Sequence, residues 1–205
     1  MESMNELAMV WLVSLLAAIS PGADFAMVSS NSYLYGRKAG MQTAFGIACA
    51  IWVHVAYAVL GVAVLVQTSP WLLQALKTIG ALYLAYVGWK TWRHQAVVVN
   101  VSRHQDGTAS WVSMWKTGFV SNALNPKTTL FVLSLFGQVV TVNTPLWYTL
   151  VCGGMLSLAH LLWFVWVAVV LSKPAIRDWL LQQQAAVNKT ICGLFFLLAG
   201  LLWRA

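Results

Sequence analysis

Apolar residues run along this chain in long unbroken stretches rather than at alternate positions or along one helical face. Six such stretches stand out. The first runs from about Met4 to Tyr35 and is interrupted at Ser20-Pro21-Gly22. The second covers about Ala39–Val66 and the third about Trp71–Trp92. The fourth runs from about Trp115 to Val140 and is interrupted at Asn125-Pro126-Lys127. The fifth covers about Leu146–Leu171 and the sixth about Ala185–Trp203. A membrane-spanning helix needs ~20 apolar residues, and a helix satisfies its own backbone in lipid. The pattern therefore predicts an all-α membrane protein with six transmembrane helices, the first and fourth interrupted, in a single domain over 1–205. The one polar stretch, Arg93–Ser110, holds Arg103, His104, Asp106 and Gly107 and reads as a linker.

Composition agrees. Apolar residues make up 60% of the chain and charged residues 8%, against about 25% charged in a soluble domain; so few charges exclude a soluble globular protein. The net charge of +7 does not point to nucleic acid, because basic residues collect at cytoplasmic helix ends. Nine Lys and Arg flank the loops after the first, third and fifth segments, and two (Lys77, Arg204) lie on the other face. That bias places both termini outside, in the periplasm if the membrane is the bacterial inner one. The first six residues carry Glu2 and Glu6 and no Lys or Arg, the reverse of a signal peptide's start, so a retained first helix is expected. Trp11, Trp71, Trp89, Trp92, Trp115, Trp147 and Trp203 lie near segment ends, as an aromatic belt needs. Cys49, Cys152 and Cys192 form no CxxC, so no redox pair or zinc site is expected. Gly36 and Gly40 form a GxxxG at a basic loop, which reads as turn chemistry.

The two halves resemble each other. Ser20-Pro21 and Asn125-Pro126 interrupt the first segment of each half; His54 and His160 follow at matching distances. Lys77-Thr78-Ile79 and Lys189-Thr190-Ile191 open the third segments, and Gly88 and Gly200 follow at equal spacing. An odd number of spans per copy inverts the second copy. The expectation is two inverted three-helix repeats, about 4–92 and 115–205, joined by a polar linker at about 93–114. Inverted repeats with interrupted helices point to a transporter with a midplane site.

The breaks themselves carry chemistry. Ser20 and Asn125 suit N-caps, and Pro21 and Pro126 suit a first helical position. Each break should start a half-helix whose free amides favour an anion such as a carboxylate, and Gly22 lets backbone approach closely. Asp24 is the one acid deep in a span, at a cost of about 2.5–3.5 kcal/mol. It is a candidate partner for a substrate ammonium, a proton carrier, or both. Lys127 opposes the dipole of its half-helix. It either pairs with Asp24, attracts an anionic substrate group, or snorkels to the inner face. Asn122 and Asn125 are candidate ligands. Ser121, Ser29, Ser30 and Asn31 read more as helix–helix bonds. His54 and His160 are candidate proton relays, with a neutral inter-helix bond as the bland alternative. Tyr83, Tyr86, Phe195 and Phe196 read as packing surface.

These residues also resemble a known family. Ser20-Pro21-Gly22-Ala23-Asp24-Phe25 followed by Gly36-Arg37-Lys38-Ala39-Gly40 is similar to the N-terminal signature of the lysine exporter/homoserine–threonine exporter (LysE/RhtB) family. Gly80-Ala81-Leu82-Tyr83-Leu84 with Gly88-Trp89 resembles its third-helix signature. Gly118-Phe119, Asn122, Asn125-Pro126-Lys127 and Phe131 resemble its fourth-helix signature. The resemblance implies a bacterial inner-membrane amino-acid exporter driven by protons. The family often has Pro-Gly-Pro at the first break, and here the third residue is Ala23.

The resulting expectation is a secondary transporter, not an enzyme. It exports a small neutral amino acid, threonine- or homoserine-like, by proton antiport, with no cofactor and no metal. One buried acid and one buried base match a zwitterion. Export of lysine or arginine ranks second, because a second buried acid would be expected for it. An intramembrane enzyme, an electron carrier and a channel rank lower. A homo-oligomer is left open.

Overall fold

The computed structural model describes residues 2–68, 70–93, 110–140 and 144–172, and positions 183, 186, 188–190, 192–194, 196 and 197. Among the described residues the regular elements are seven helices: α1 (Glu2–Ile19), α2 (Ala23–Tyr35), α3 (Arg37–Thr68), α4 (Pro70–Arg93), α5 (Trp111–Ala123), α6 (Pro126–Val139) and α7 (Leu146–Leu171). The described positions of the sixth apolar segment are helical. The rest of that segment, the linker residues 94–109, and Lys173 and Arg177 lie outside the described residues.

Both expected interruptions are present. The α1–α2 pair bends by 59° across Ser20-Pro21-Gly22. Ser20 still donates its N–H to Leu16 O at 2.9 Å; Pro21 has no N–H with which to continue. The second interruption falls at Leu124 and Asn125, slightly earlier than the sequence suggests, because Pro126 and Lys127 already belong to α6. Among the described residues two helices are long and apolar enough to cross a membrane, Arg37–Gly61 within α3 and Leu146–Leu171, and the bent α1–α2 pair makes a third if counted as one span. Leu124, Leu60, Leu146 and Leu82 point outward, so the bundle turns apolar side chains to its surroundings, as a protein embedded in a bilayer does.

The packing centres on α3, which touches α2, α4, α5, α6 and α7; α1 lies on α7 and α4 on α6. Small residues set the closest crossing. A Cβ on Gly46 would sit 2.1 Å from Trp115 O, and one on Gly118 2.1 Å from Thr43 O. The α3 and α5 backbones thus touch where neither glycine leaves room for a methyl group, the usual way helices associate in lipid. The Gly36/Gly40 pair divides its roles. Gly36 closes α2 with φ 83°, a conformation that favours glycine, so its turn role holds. Gly40 instead packs against Ser32 and Ala168, a contact that spacing alone did not reveal.

Two apolar clusters form at opposite ends of the bundle. The larger joins Val10, Val13 and Leu16 of α1 to Ile51, Val55, Phe136 and Leu156. The smaller joins Val28, Ala44 and Ile47 to Phe164, Val167 and Leu171. Both helix breaks lie between them. Asn31 donates to Thr43 Oγ1 at 2.9 Å and Ser157 to Ala48 O at 2.8 Å, tying α2 and α7 to α3.

Gly118→Val is expected to lower the thermal unfolding midpoint in detergent by forcing α3 and α5 apart, at a cost of about 1–3 kcal/mol. Gly61, where an added Cβ would meet nothing within 4 Å, supplies the control: Gly61→Ala should leave the midpoint unchanged or slightly raised, since alanine favours a helix interior by about 0.5–1 kcal/mol over glycine.

Candidate functional site at the two helix breaks

The second break is built as its sequence suggests. Asn125 is the N-cap of α6; its Oδ1 accepts the N–H of Lys127 at 3.0 Å, and Pro126 occupies the first helical position. The first break differs. Ser20 is not the cap, and Pro21 is not the first helical residue. Gly22 is the cap of α2, in extended conformation, with no side-chain bond to the first turn. The three-residue break lets α1 finish completely before α2 begins. Gly22 has no side chain with which to cap the first α2 amides, and the carbonyls of Ser20 and Pro21, just past the end of α1, face Lys127.

Those carbonyls resolve the puzzle of Lys127. Its Nζ donates to Ser20 O at 2.7 Å and to Pro21 O at 3.4 Å. A cation opposes the dipole at the start of its own helix, but here it caps the negative C-terminal end of α1, where a cation is favoured. Among the described residues no ion pair with Asp24 forms, and the side chain turns to these carbonyls instead of running to the membrane surface; of the three readings offered by sequence, attraction of an anionic substrate group is the one this arrangement leaves in place.

Asp24 sits in the first turn of α2, 7% exposed. Its Oδ2 accepts from Asn122 Nδ2 at 2.9 Å and from Asn125 Nδ2 at 3.0 Å. The favourable end of its own helix contributes only about 0.3–1 kcal/mol. Two bonds to a charged acceptor, at about 1.5–3 kcal/mol each, are large enough to offset the ~2.5–3.5 kcal/mol cost of an intramembrane Asp. Break two thus supplies the donors for the acid of break one, and break one supplies the acceptors for the base of break two. The offset is incomplete at one atom: Asp24 Oδ1 is buried with no hydrogen-bond partner, as is Asn122 Oδ1. Buried acceptors of this kind are costly and are satisfied when a donor enters.

The surroundings hold this geometry. Asn122 is fully buried and also donates to Thr128 Oγ1 at 3.2 Å. His54 Nε2 donates to Asn122 O at 2.9 Å, and its Nδ1 meets the Tyr57 hydroxyl. His54 is therefore an inter-helix tie behind the site. His160 behaves differently: its Nδ1 donates to Leu156 O of its own helix at 2.9 Å, and the residue lines the site. The matched histidines of the two halves do not make matched bonds. Ser29 bonds back to Phe25 O, and Asn31 bonds Thr43.

Two cavities meet here. A small one, of about 20 Å³, is lined by Asp24, Asn125, Lys127, Thr128 and His160 with three phenylalanines; such a volume holds about one water-sized group. The larger, of about 570 Å³, is lined by Pro21, Pro126, Tyr83, Tyr86, Lys90 and Lys127 among others. Ser20, Gly22, Val87, Asn125 and Lys127 line both, so the Lys127 bridge to α1 stands between them. Tyr83 and Tyr86, read from sequence as packing, do pack ring against ring and also line the larger cavity, and Tyr83 donates to Lys127 O at 3.1 Å. Thr128 and Lys90 were missed as well. A tyrosine carrying its polar tip into mid-span is the one signal that could have marked Tyr83.

A family model described as LysE type translocator matches residues 15–204. The chain is 27% identical to the uncharacterized membrane protein YahN of Escherichia coli (strain K12), over 92% of this chain and 86% of that protein. It is 29% identical to the threonine efflux protein of Salmonella typhi and 28% identical to that of Escherichia coli (strain K12), over 82% of both chains in each case. No solved structure matches the chain.

The Asn125 contacts predict a ranking of variants. Asn125→Ala loses the cap, worth ~1 kcal/mol, and a donor to Asp24. Asn125→Asp keeps the cap but sets a second carboxylate against Asp24, so it should unfold at the lower temperature of the two in detergent. An Asp variant as stable as the parent would mean that the Asn125–Asp24 bond contributes nothing.

Proposed function

Because the chain belongs to the LysE type translocator family, we propose that it exports a small neutral amino acid of the threonine or homoserine kind across the bacterial inner membrane in exchange for protons. The observation that carries this reading is the pair of oppositely charged side chains at the two breaks, Asp24 and Lys127, both lining one cavity. An amino-acid zwitterion has the complementary charges. Its ammonium supplies the donor that Asp24 Oδ1 lacks. Its carboxylate takes Lys127 and approaches the N-terminal end of α2 at Gly22, a helix end that favours anions. Asn122 and Asn125 position the Asp24 carboxylate, and the carbonyl of Ser20 holds Lys127 until substrate arrives. Pro21 and Pro126 keep the breaks open.

Antiport follows if proton and substrate exclude each other at Asp24. A protonated Asp24 has no charge for an ammonium; an ionised one attracts it. His160, facing the same cavity, is the relay by which the proton reaches Asp24, while His54 holds Asn122 in place. The larger cavity extends along α4 from Tyr83 to Lys90, about 10 Å at the helical rise, towards the helix end that carries Lys90 and Arg93. The charge bias makes that end cytoplasmic. On the α1 side of the breaks the packing is the large apolar cluster of Val10, Val13 and Leu16 with Phe136 and Leu156. This is the arrangement of an exporter ready to load from inside.

The full architecture belongs to the same reading: one domain of six spans, arranged as two inverted repeats at about 4–92 and 115–205 around a linker, with both termini periplasmic. Supporting it, α3 packs on α5 as α7 packs on α1, and α3 on α6 as α7 on α2, the contact pairs that exchanging the halves would generate. A neutral substrate is favoured over lysine or arginine because the larger cavity presents two lysines and no acid among its described lining residues. The two threonine efflux relatives point the same way.

Proteoliposomes loaded with labelled threonine and given an inward proton gradient test the mechanism. Asp24→Asn should reduce gradient-driven efflux to the level of protein-free vesicles; full efflux by that variant would remove Asp24 from coupling. Lys127→Met should raise the half-saturating threonine concentration by about tenfold or more, the loss of one charge-assisted contact. Faster efflux of lysine than of threonine would replace the neutral substrate with a cationic one.

A further inference from the structure

We propose that the larger cavity is a side-chain subsite that admits bulky aromatic amino acids, so that the transporter's range extends well beyond threonine-sized substrates. The inference rests on the amino-acid export reading and concerns where the substrate's side chain lies. The small cavity beside Asp24 has about 20 Å³, room for one water-sized group. An ammonium group fills it. The rest of the amino acid, carboxylate and side chain together, must then lie beyond the Lys127 bridge, in the space of about 570 Å³. The space is a half-open groove, with Tyr86 and Leu130 48% and 43% exposed at its rim, and its volume falls within the roughly 300–1,000 Å³ of ligand sites. A threonine side chain leaves most of this one empty.

The walls suit a flat apolar group. Tyr83 and Tyr86 stand one helical turn apart on α4, with ring centroids 6.2 Å apart and planes tilted by 38°. Leu130 of α6 and Ala26 of α2 add apolar surface to the same lining. Aromatic rings associate at centroid separations of about 4.5–7 Å in tilted or offset geometry, so a third ring can join this pair. The cations of the lining, Lys90 and Lys127, repel a basic side chain and attract a carboxylate. Lys90 lies 5.9 Å from the centroid of the Tyr86 ring and so is directed over the same aromatic wall. The ends of the molecule are thereby sorted: ammonium inward at Asp24, carboxylate at Lys127, aromatic group along α4.

The test uses the full chain in proteoliposomes loaded with labelled threonine or phenylalanine under an imposed proton gradient. Phenylalanine efflux should fall within about tenfold of threonine efflux, the margin a well-fitting apolar group can command. Leu130→Trp narrows the cavity and should lower the phenylalanine-to-threonine efflux ratio by about tenfold. If that variant does not fold, competition in the parent protein decides: internal phenylalanine should slow labelled threonine efflux. Threonine efflux without phenylalanine efflux or competition overturns the subsite and leaves the export reading standing. An unchanged ratio in a folded Leu130→Trp protein also overturns it. Efflux of neither amino acid overturns both.

Discussion

Two charges held by each other's broken helix organise the centre of this protein. Asp24 begins α2 and takes its donors from Asn122 and Asn125 at the second break. Lys127 begins α6 and takes its acceptors from Ser20 and Pro21 at the first. Neither charge is tolerable in a low-dielectric interior by itself. Each is made tolerable by backbone ends or amides that a continuous helix would have used internally. The breaks are therefore the condition for burying the charges, and the charges hold the two breaks face to face.

Much of the remaining structure serves that clasp. The glycine contact between α3 and α5 brings α5 close enough for His54 to reach the Asn122 carbonyl. Tyr83 reaches from α4 to the Lys127 carbonyl. The two apolar clusters flank the breaks, and Val87, Phe131 and Phe164 carry them up to the wall of the small cavity. What the clasp leaves unsatisfied is as informative as what it satisfies. Asp24 Oδ1 and Asn122 Oδ1 are buried acceptors without donors, the feature on which the proposed ammonium and proton binding rests.

The Lys127 bridge also divides space. In the proposed function, one small chamber beside Asp24 and one wide apolar-and-cationic chamber read an amino acid by its two charged ends and constrain its side chain weakly. Selectivity then lies in the walls of α4 and α6 more than in the charged centre. The family match and the threonine efflux relatives cover most of the chain, the latter at 28–29% identity.

Long apolar runs, scarce charge, proline at two mid-span positions and a lone intramembrane acid were all legible in the amino-acid sequence. So was the Asn125 cap, because capping links residues two apart and needs only local geometry. The α7 segment matched residue for residue, since its ends are set by Pro145 and by the end of the apolar run. The partners of Asp24 and Lys127 were not legible. They lie about a hundred residues away in the chain, and which break serves which charge depends on how the two halves dock. Sequence put Ser20 at the cap and left Lys127 without a favourable site. Docking instead lets α1 end early, caps α2 with Gly22 and turns the α1 carbonyls to the lysine. Tyr83, Tyr86, Lys90 and Thr128 escaped for the same reason: an apolar helix shows no local sign of which face lines a cavity, because in lipid both faces are apolar, and only packing against neighbouring helices distinguishes them.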